Sequence, residues 1–322
     1  MSQLSASPSA LSLTQSDWGW QGRTAGIANR TKHLLASGEH SDIQFVVGRY
    51  RGTIQTFRAH KFVLRIGSQV FDQLFYGEPP SPSHTNLEVP DATPEAFHNL
   101  LSYLYTDSVE NLTSQNVFDT LSCASKYKIQ LLFDLCSDFI IASLNMDNCL
   151  TMLEKAEELN AQRVIGKCLE MLDASSGEIL QSDSFLTVKK TTLETVLQRS
   201  TLTADEYSVY KAAERWANHA CQMDKMAPSS HNRRLKLGTA LSLIRFPLMT
   251  DVQLADGPGE TGLLTKDELC DIFRYKHATA KRCIPFRTTP RAAQTRRMAP
   301  YRAPQFSTRL SRTQPYTPRY SP

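Results

Sequence analysis

His60 and Lys61 stand side by side where a strand-like run ending at Ala59 meets an apolar, helix-like run, in FRAHKFVLRIGSQVFDQLFYG. General acid-base chemistry uses an imidazole beside an ammonium, but it also needs an orienting carboxylate, a cleft and a group to act on. No nucleophile lies at a recognisable spacing from His60, so a structural histidine is expected. Gly257-Pro258-Gly259-Glu260-Thr261-Gly262 fits the GxGxxG spacing of a dinucleotide loop. No strand enters it, Pro258 occupies the turn and no alternating β-α pattern surrounds it, so it reads as a loop between helices. The eight histidines and seven cysteines give no two close ligand pairs. His277 and Cys283 come nearest to a metal site, and no metal or cofactor is expected.

Charge is distributed unevenly along the 322 residues. The formal net charge is +4, yet residues 286–322 hold eight arginines and no acid, which leaves −4 for the remainder. In this tail Phe286, Tyr301, Phe306, Tyr316 and Tyr320 alternate with arginines, a mixture that can hold phosphates and stack bases. Composition of this kind specifies no particular ligand, so a solvated, disordered tail is expected ahead of a nucleic-acid partner. The cysteines are odd in number, lack a CxxC pair and fall mostly on apolar helical faces, which suits reduced thiols in a cytosolic or nuclear protein. Cytoplasmic residence is expected, with the nucleus as the alternative, and the sequons at Asn29 and Asn111 are read as chance matches. The first twenty residues have no basic region followed by an apolar core. The most apolar run, QLLFDLCSDFIIASL, is interrupted by Asp134 and Asp138. No membrane segment is expected.

The elements that must position these residues follow from periodicity. Residues 1–25 are rich in Ser, Gln and Gly and read as a disordered leader. Ile27, Leu34 and Leu35 mark a short amphipathic helix ending near Gly38. Ile43, Phe45 and Val47 alternate at period two, and Ile54 to Ala59 supplies a second strand after a Gly48 to Gly52 turn. Phe62, Val63 and Ile66 then predict a short helix. Ser68 caps the next, whose stripe is Val70, Phe71, Leu74 and Phe75. Leu87 and Val89 make a third strand. Thr93 and Pro94 open a helix bearing Phe97, Leu100, Leu101 and Leu104. Val117, Leu121 and Ala124 mark another helix, and Leu131, Leu132, Leu135, Phe139 and Ile140 the one after it. From about residue 146 only helices are predicted. Leu150 and Leu153 lie on the first, and Val164, Ile165, Cys168, Leu169 and Leu172 on the second. A capping box from Thr203 to Glu206 opens a third carrying Val209, Ala213 and Trp216. LKLGTALSLIRFPLMT reads as one final helix stopped by Pro247.

In this order the residues resemble a known family. Ser41-Asp42, Ala59-His60-Lys61, Val63-Leu64, Gly67-Ser68, Val70-Phe71, Leu74-Phe75 and Tyr76-Gly77-Glu78 are similar to the BTB/POZ domain. Val89-Pro90-Asp91, Pro94, Ala96-Phe97, Leu101 to Tyr105 and Ala124-Ser125-Lys126-Tyr127 continue the likeness. Glu206, Ala213, Trp216-Ala217 and Leu243 to Met249 resemble the BACK domain, with BTB-BACK-PHR proteins the most similar group. The resemblance implies an α+β BTB/POZ domain, a short sheet flanked by helices, over residues 26–145. It implies an all-α BACK domain over 146–284 and leaves a disordered Arg/Pro-rich tail over 285–322. Nothing after Pro285 reads as the β sandwich of a PHR domain, so a chain without the usual substrate module, or a shortened form, is expected.

The resemblance further implies a non-enzymatic homodimer that serves as an adaptor of a cullin-3 RING ubiquitin ligase and presents an unknown protein substrate. Dimer contacts would involve Ile27, Leu34 and Leu35, covered by the partner subunit, and an ion pair between Asp42 and Lys61 within or between subunits. Cullin contacts would involve Phe75, Tyr76, Glu78, Lys126 and Tyr127. The family's loop normally offers an apolar residue, any residue, then Glu; here it reads Pro79-Pro80-Ser81. The alternative is a cullin-independent dimeric scaffold, or a regulator that forms mixed dimers with full-length relatives.

Overall fold

A computed structural model of the chain describes residues 19–48, 52–77, 85–280 and 283–291. It opens with the short helix α1 (Trp20–Arg23) and the helix α2 (Ile27–Ser37), which ends on Gly38 in the left-handed conformation. The strands β1 (Ile43–Val47), β2 (Gln55–Ala59) and β3 (Asn86–Val89) form a sheet in the order β2-β1-β3. β1 pairs antiparallel with β2 and parallel with β3. Period-two alternation points Ile43, Phe45 and Val47 into the core together with Phe57, Ala59 and Val89. The turn after β1 depends on Gly48, whose φ is 95° and where a Cβ would meet the Thr53 carbonyl oxygen at 2.1 Å.

Helices α3 (Lys61–Gly67), α4 (Gln69–Tyr76) and α5 (Pro94–Thr106) cover this sheet. Phe45 lies 5.0 Å from Phe97 and 5.9 Å from Phe71, ring to ring, so the strand and two helices share an aromatic centre. The expected caps form: Ser68 Oγ accepts from Phe71 N–H, and Thr93 Oγ1 from Ala96 N–H. In α3 the expected stripe is reversed. Leu64 is the residue turned into the core, while Phe62 and Ile66 face outward.

Two helical hairpins follow, α6 (Val117–Lys126) with α7 (Gln130–Ala142), and α8 (Cys149–Glu158) with α9 (Gln162–Ala174). They are one design built twice. Asn116 Oδ1 accepts from Thr113 N–H and its amide donates to Asn111 O; Asn148 does the same with Asn145 and Ser143. Each hairpin turns on a left-handed residue, Lys128 or Asn160, with the next N–H returning to Ala124 O or Ala156 O at 2.9 Å. Leu121 and Leu153, Leu132 and Val164, and Cys136 and Cys168 occupy matching buried places. Burial pushes the Cys136 thiol up to about 12, the behaviour of an inert core residue. Leu131, expected on the apolar stripe, faces solvent.

The remaining helices are α10 (Ser176–Ile179), α11 (Lys190–Gln198), α12 (Glu206–Met223), α13 (Ser230–Leu237), α14 (Asp251–Leu254) and α15 (Lys266–His277). Val209, Ala213 and Trp216 are buried on α12 as expected. Its cap, however, is Asp205, which accepts from Ser208 N–H at 3.0 Å, and Glu206 is buried instead of closing a box with Thr203. The stretch read as one helix up to Pro247 divides at Gly238, whose φ is 53°, into α13 and two 3₁₀ turns. A further helix, α15, follows it, opened by a capping box of Thr265 and Glu268. Gly257 and Pro258 are buried in a π-type turn, where a Cβ on Gly257 would come within 3.1 Å of both Tyr207 and Tyr210. This turn packs against aromatic side chains and is no phosphate cradle.

Two expectations about the ends change. Residues 20–23 of the leader are helical, and residues 285–291 of the tail lie against the helical half, with Phe286 and Arg291 buried. The rest of the leader and tail falls outside the described residues. None of the described helices is long and apolar enough to cross a membrane.

Candidate interaction surface

His60 ends β2 and precedes α3, and both of its ring nitrogens are engaged. Nε2 lies 2.7 Å from Glu39 O and Nδ1 lies 2.8 Å from the Tyr105 hydroxyl. A carbonyl can only accept, so Nε2 carries the proton and Nδ1 accepts from Tyr105. The His60 backbone N–H donates back to the same hydroxyl at 2.8 Å. Burial raises the Tyr105 pKa, the His60 backbone bond opposes that rise and the Asp42 charge adds to it. With no lone pair free, His60 fastens the strand end to α5.

Within this chain Asp42 and Lys61 meet through a backbone hydrogen bond. Asp42 Oδ1 accepts the Lys61 backbone N–H at 2.7 Å and so caps α3, whose formal cap residue, His60, makes no side-chain cap bond. The Lys61 ammonium lies 5.7 Å from the centre of the Phe75 ring, a cation-π contact.

Beyond Lys61, α3 presents Phe62 and Ile66, four apart and 67% and 69% exposed. Covering one such side chain is worth about 1.5–3 kcal/mol. Tyr76, at the end of α4, is also exposed, with Arg65 stacked 4.5 Å above its ring and ion-paired with Asp72 at 2.6 Å. Ile27 projects into solvent from α2. Leu34 and Leu35 are half-buried against their own core, and Thr31 Oγ1 donates to Tyr105 O.

The residues assigned to cullin contact separate into two kinds. Tyr76 is exposed, Phe75 is half-buried and stacked on Phe71 at 5.7 Å, and Lys126 holds Asp91 at 2.7 Å. Tyr127 is only 6% exposed, with its ring stacked 4.6 Å from Phe71 and its hydroxyl pKa raised chiefly by burial. Tyr127 therefore supports the surface from beneath and presents no side chain to a partner, a correction to its expected role. Glu78 and Pro79-Pro80-Ser81 lie outside the described residues. Sequence reasoning missed Phe62 and Ile66 as surface residues. Their four-residue spacing puts them on one face, but with Val63 and Leu64 also apolar the sequence does not say that this face is outward. Among the described residues no cluster of three His, Cys, Asp or Glu could hold a metal.

Comparison with known proteins agrees with this architecture. Residues 31–144 match the family model described as BTB/POZ domain, and residues 149–257 match the one described as BTB And C-terminal Kelch. Human BTB/POZ domain-containing protein 3 is 36% identical over 267 residues, 83% of this chain and 51% of the relative. Zebrafish BTB/POZ domain-containing protein 6-A is 33% identical over 276 residues, 86% of this chain and 51% of the relative. Human BTB/POZ domain-containing protein 6 is 32% identical over 295 residues, 92% of this chain and 54% of the relative. The chain spans about half the length of these curated relatives. Two family models matched in order, on a short sheet with flanking helices followed by a helical arm, identify the chain as a BTB-BACK protein.

Proposed function

We propose that the chain is a non-enzymatic homodimeric adaptor that docks cullin-3 and carries a protein substrate for ubiquitination. The observation that carries the reading is the outward apolar pair Phe62 and Ile66 on α3, beside the Lys61 cation-π contact. An apolar stripe on a helix that is fully anchored on its other side suits a self-complementary interface between two copies. The Tyr76 ring, stacked under Arg65 and projecting from α4, supplies an aromatic anchor of the kind that dominates interfaces.

The dimer is tested by analytical ultracentrifugation of the full chain and of a Phe62→Asp, Ile66→Asp double variant. The wild type sediments as a dimer and the variant as a folded monomer; a wild-type monomer overturns the reading. Cullin docking is tested by calorimetry with the cullin-3 N-terminal domain. Wild-type binding that weakens by about 2 kcal/mol with Tyr76→Ala, the scale of an anchor residue, supports the adaptor. The sequence Pro79-Pro80-Ser81 favours a second reading, a dimeric scaffold without cullin. Binding seen only after Pro79→Leu, Pro80→Ala and Ser81→Glu are introduced selects that scaffold.

A further inference from the structure

The most completely buried charges lie far from the surfaces described above. Glu206, at the start of α12, is 1% exposed, and Arg291 is fully buried. Arg291 Nε donates to Glu206 Oε2 at 2.8 Å and Nη2 donates to Oε1 at 3.1 Å, a two-point fork. Its Nη1 donates to Leu197 O at 3.1 Å and to Arg199 O. These carbonyls belong to the C-terminal end of α11, where unpaired backbone oxygens and the helix dipole favour a cation. Arg287 uses the same end, donating to Gln198 O at 3.3 Å.

Two more contacts hold the segment before Arg291. Arg245, itself buried, donates from Nη1 to Thr289 O at 2.7 Å, and its backbone N–H donates to Glu206 Oε1 at 2.8 Å. Phe286 is buried with its ring 5.0 Å from Phe246, edge to face. Besides the exposed Arg287 bond, residues 286–291 are held at three points: an aromatic slot, a guanidinium clamp on a backbone carbonyl, and a carboxylate-lined socket for an arginine. Each contact uses side chains or helix-end carbonyls of the helical half, and none requires α15 to lead directly into the segment.

We infer that the BACK domain carries a recognition site for a bent, irregular segment with an aromatic residue and an arginine five positions on. In this structure the chain's own Phe286-Arg287-Thr288-Thr289-Pro290-Arg291 occupies it. The site acts as a latch. It ties the Arg291 side chain to Glu206 and to the end of α11. The socket selects arginine over lysine, since only a planar guanidinium can reach the carboxylate and the two carbonyls together. The assignment is independent of cullin docking.

The test uses the full chain. In the wild type, trypsin spares the bond after Arg287; in Arg291→Ala that bond is cut. A Phe286→Ala, Arg291→Ala double variant empties two of the three points. To it is added the synthetic peptide acetyl-FRTTPRA-amide, or the same peptide with lysine as its sixth residue. The arginine peptide binds and raises the melting temperature of the double variant, and the lysine peptide binds at least about tenfold more weakly. Wild-type protein, with its site filled, takes up neither. Should the alanine variants not fold, Arg291→Lys keeps a cation in the socket and loses the fork, and it carries the same protease and arginine-peptide test. Cleavage after Arg287 in the wild type, or equal binding of the two peptides, overturns the inference.

Discussion

Lys126 with Asp91 and Arg291 with Glu206 are bonded at nearly equal distances, 2.7 and 2.8 Å, yet the first pair is exposed in the BTB half and the second is buried in the BACK half, where exposed pairs such as Lys167–Glu170 also occur. In the BTB half the ion pairs Lys32–Glu110, Arg65–Asp72 and Lys126–Asp91 lie on the surface, with both side chains substantially exposed. In the BACK half Arg291–Glu206 is wholly buried and Arg233–Glu214 nearly so. An exposed pair gains little because water screens it and two long side chains must be ordered. A buried pair is no better as a source of net stability, but losing one member strands the other without solvent. The BTB surface can therefore be altered residue by residue while its fold persists. In the BACK half the buried Glu206–Arg291 pair bears on whether the neighbouring segments stay in place.

The sharpest way to break this contrast is Glu206→Ala, which leaves the Arg245 and Arg291 guanidinium groups buried without a counter-charge. Urea unfolding should show a loss of about 3–5 kcal/mol, and hydrogen exchange should locate it in α11, α12 and residues 283–291. A loss below about 1 kcal/mol would mean that the burial of these charges is relieved by water. Burial also lowers the Arg245 pKa, to about 10, with the Arg291 charge acting in the same direction and Glu206 opposing. Removing Glu206 sets those two guanidinium groups against each other.

An intermediate effect is expected at Glu268. Burial alone would raise its carboxyl pKa, but the Arg234 guanidinium and the Thr265 backbone and hydroxyl bonds hold it below the usual value of 4.5. A carboxyl with a depressed folded-state pKa contributes stability above its unfolded pKa and loses it as pH falls through the folded value. Glu268→Gln should therefore cost about 1 kcal/mol near neutral pH, comparable to a lost helix cap. The difference from wild type should shrink as the pH drops below 4.5, the unfolded value. A pH-independent difference in the unfolding free energy would assign the effect to packing. The smallest change is Lys126→Ala, at about 0–1 kcal/mol, and high salt should abolish it. A larger, salt-resistant loss there would show that the surface pairs of the BTB half are more than solvated contacts.

What was legible in the sequence was local. Alternation in Ile43, Phe45 and Val47 announced the strand, and Thr93-Pro94 announced the start of α5, because period and cap chemistry act within a few residues. In α3 the run Phe62-Val63-Leu64 is apolar on every side, so periodicity could not say which face the core would take. At Asp205, a carboxylate stood beside the Thr203 hydroxyl as a competing cap, and the residue adjoining the helix prevailed. The doubled hairpin went unread because few identities recur between its copies, among them Leu112 and Leu144, Asn116 and Asn148, Leu121 and Leu153, Ala124 and Ala156, Gln130 and Gln162, Cys136 and Cys168. The Glu206–Arg291 socket joins residues 85 positions apart, beyond the reach of local pattern. Of the candidate surface, Phe75, Tyr76 and Lys126 came from family resemblance; Phe62 and Ile66 needed the fold.

One serine ties the candidate surface together. Ser68 caps α4 and also donates to Tyr127 O at 2.6 Å, in the turn between α6 and α7. Tyr76 rides on the helix that begins at this joint, and Lys126 precedes the carbonyl that closes it. A partner that touches both would meet two groups whose separation was set when the chain folded, so docking would require little loss of internal freedom there. Loosening the joint with Ser68→Ala should slow encounter less than it hastens departure, the kinetic mark of a surface that was ready before its partner arrived.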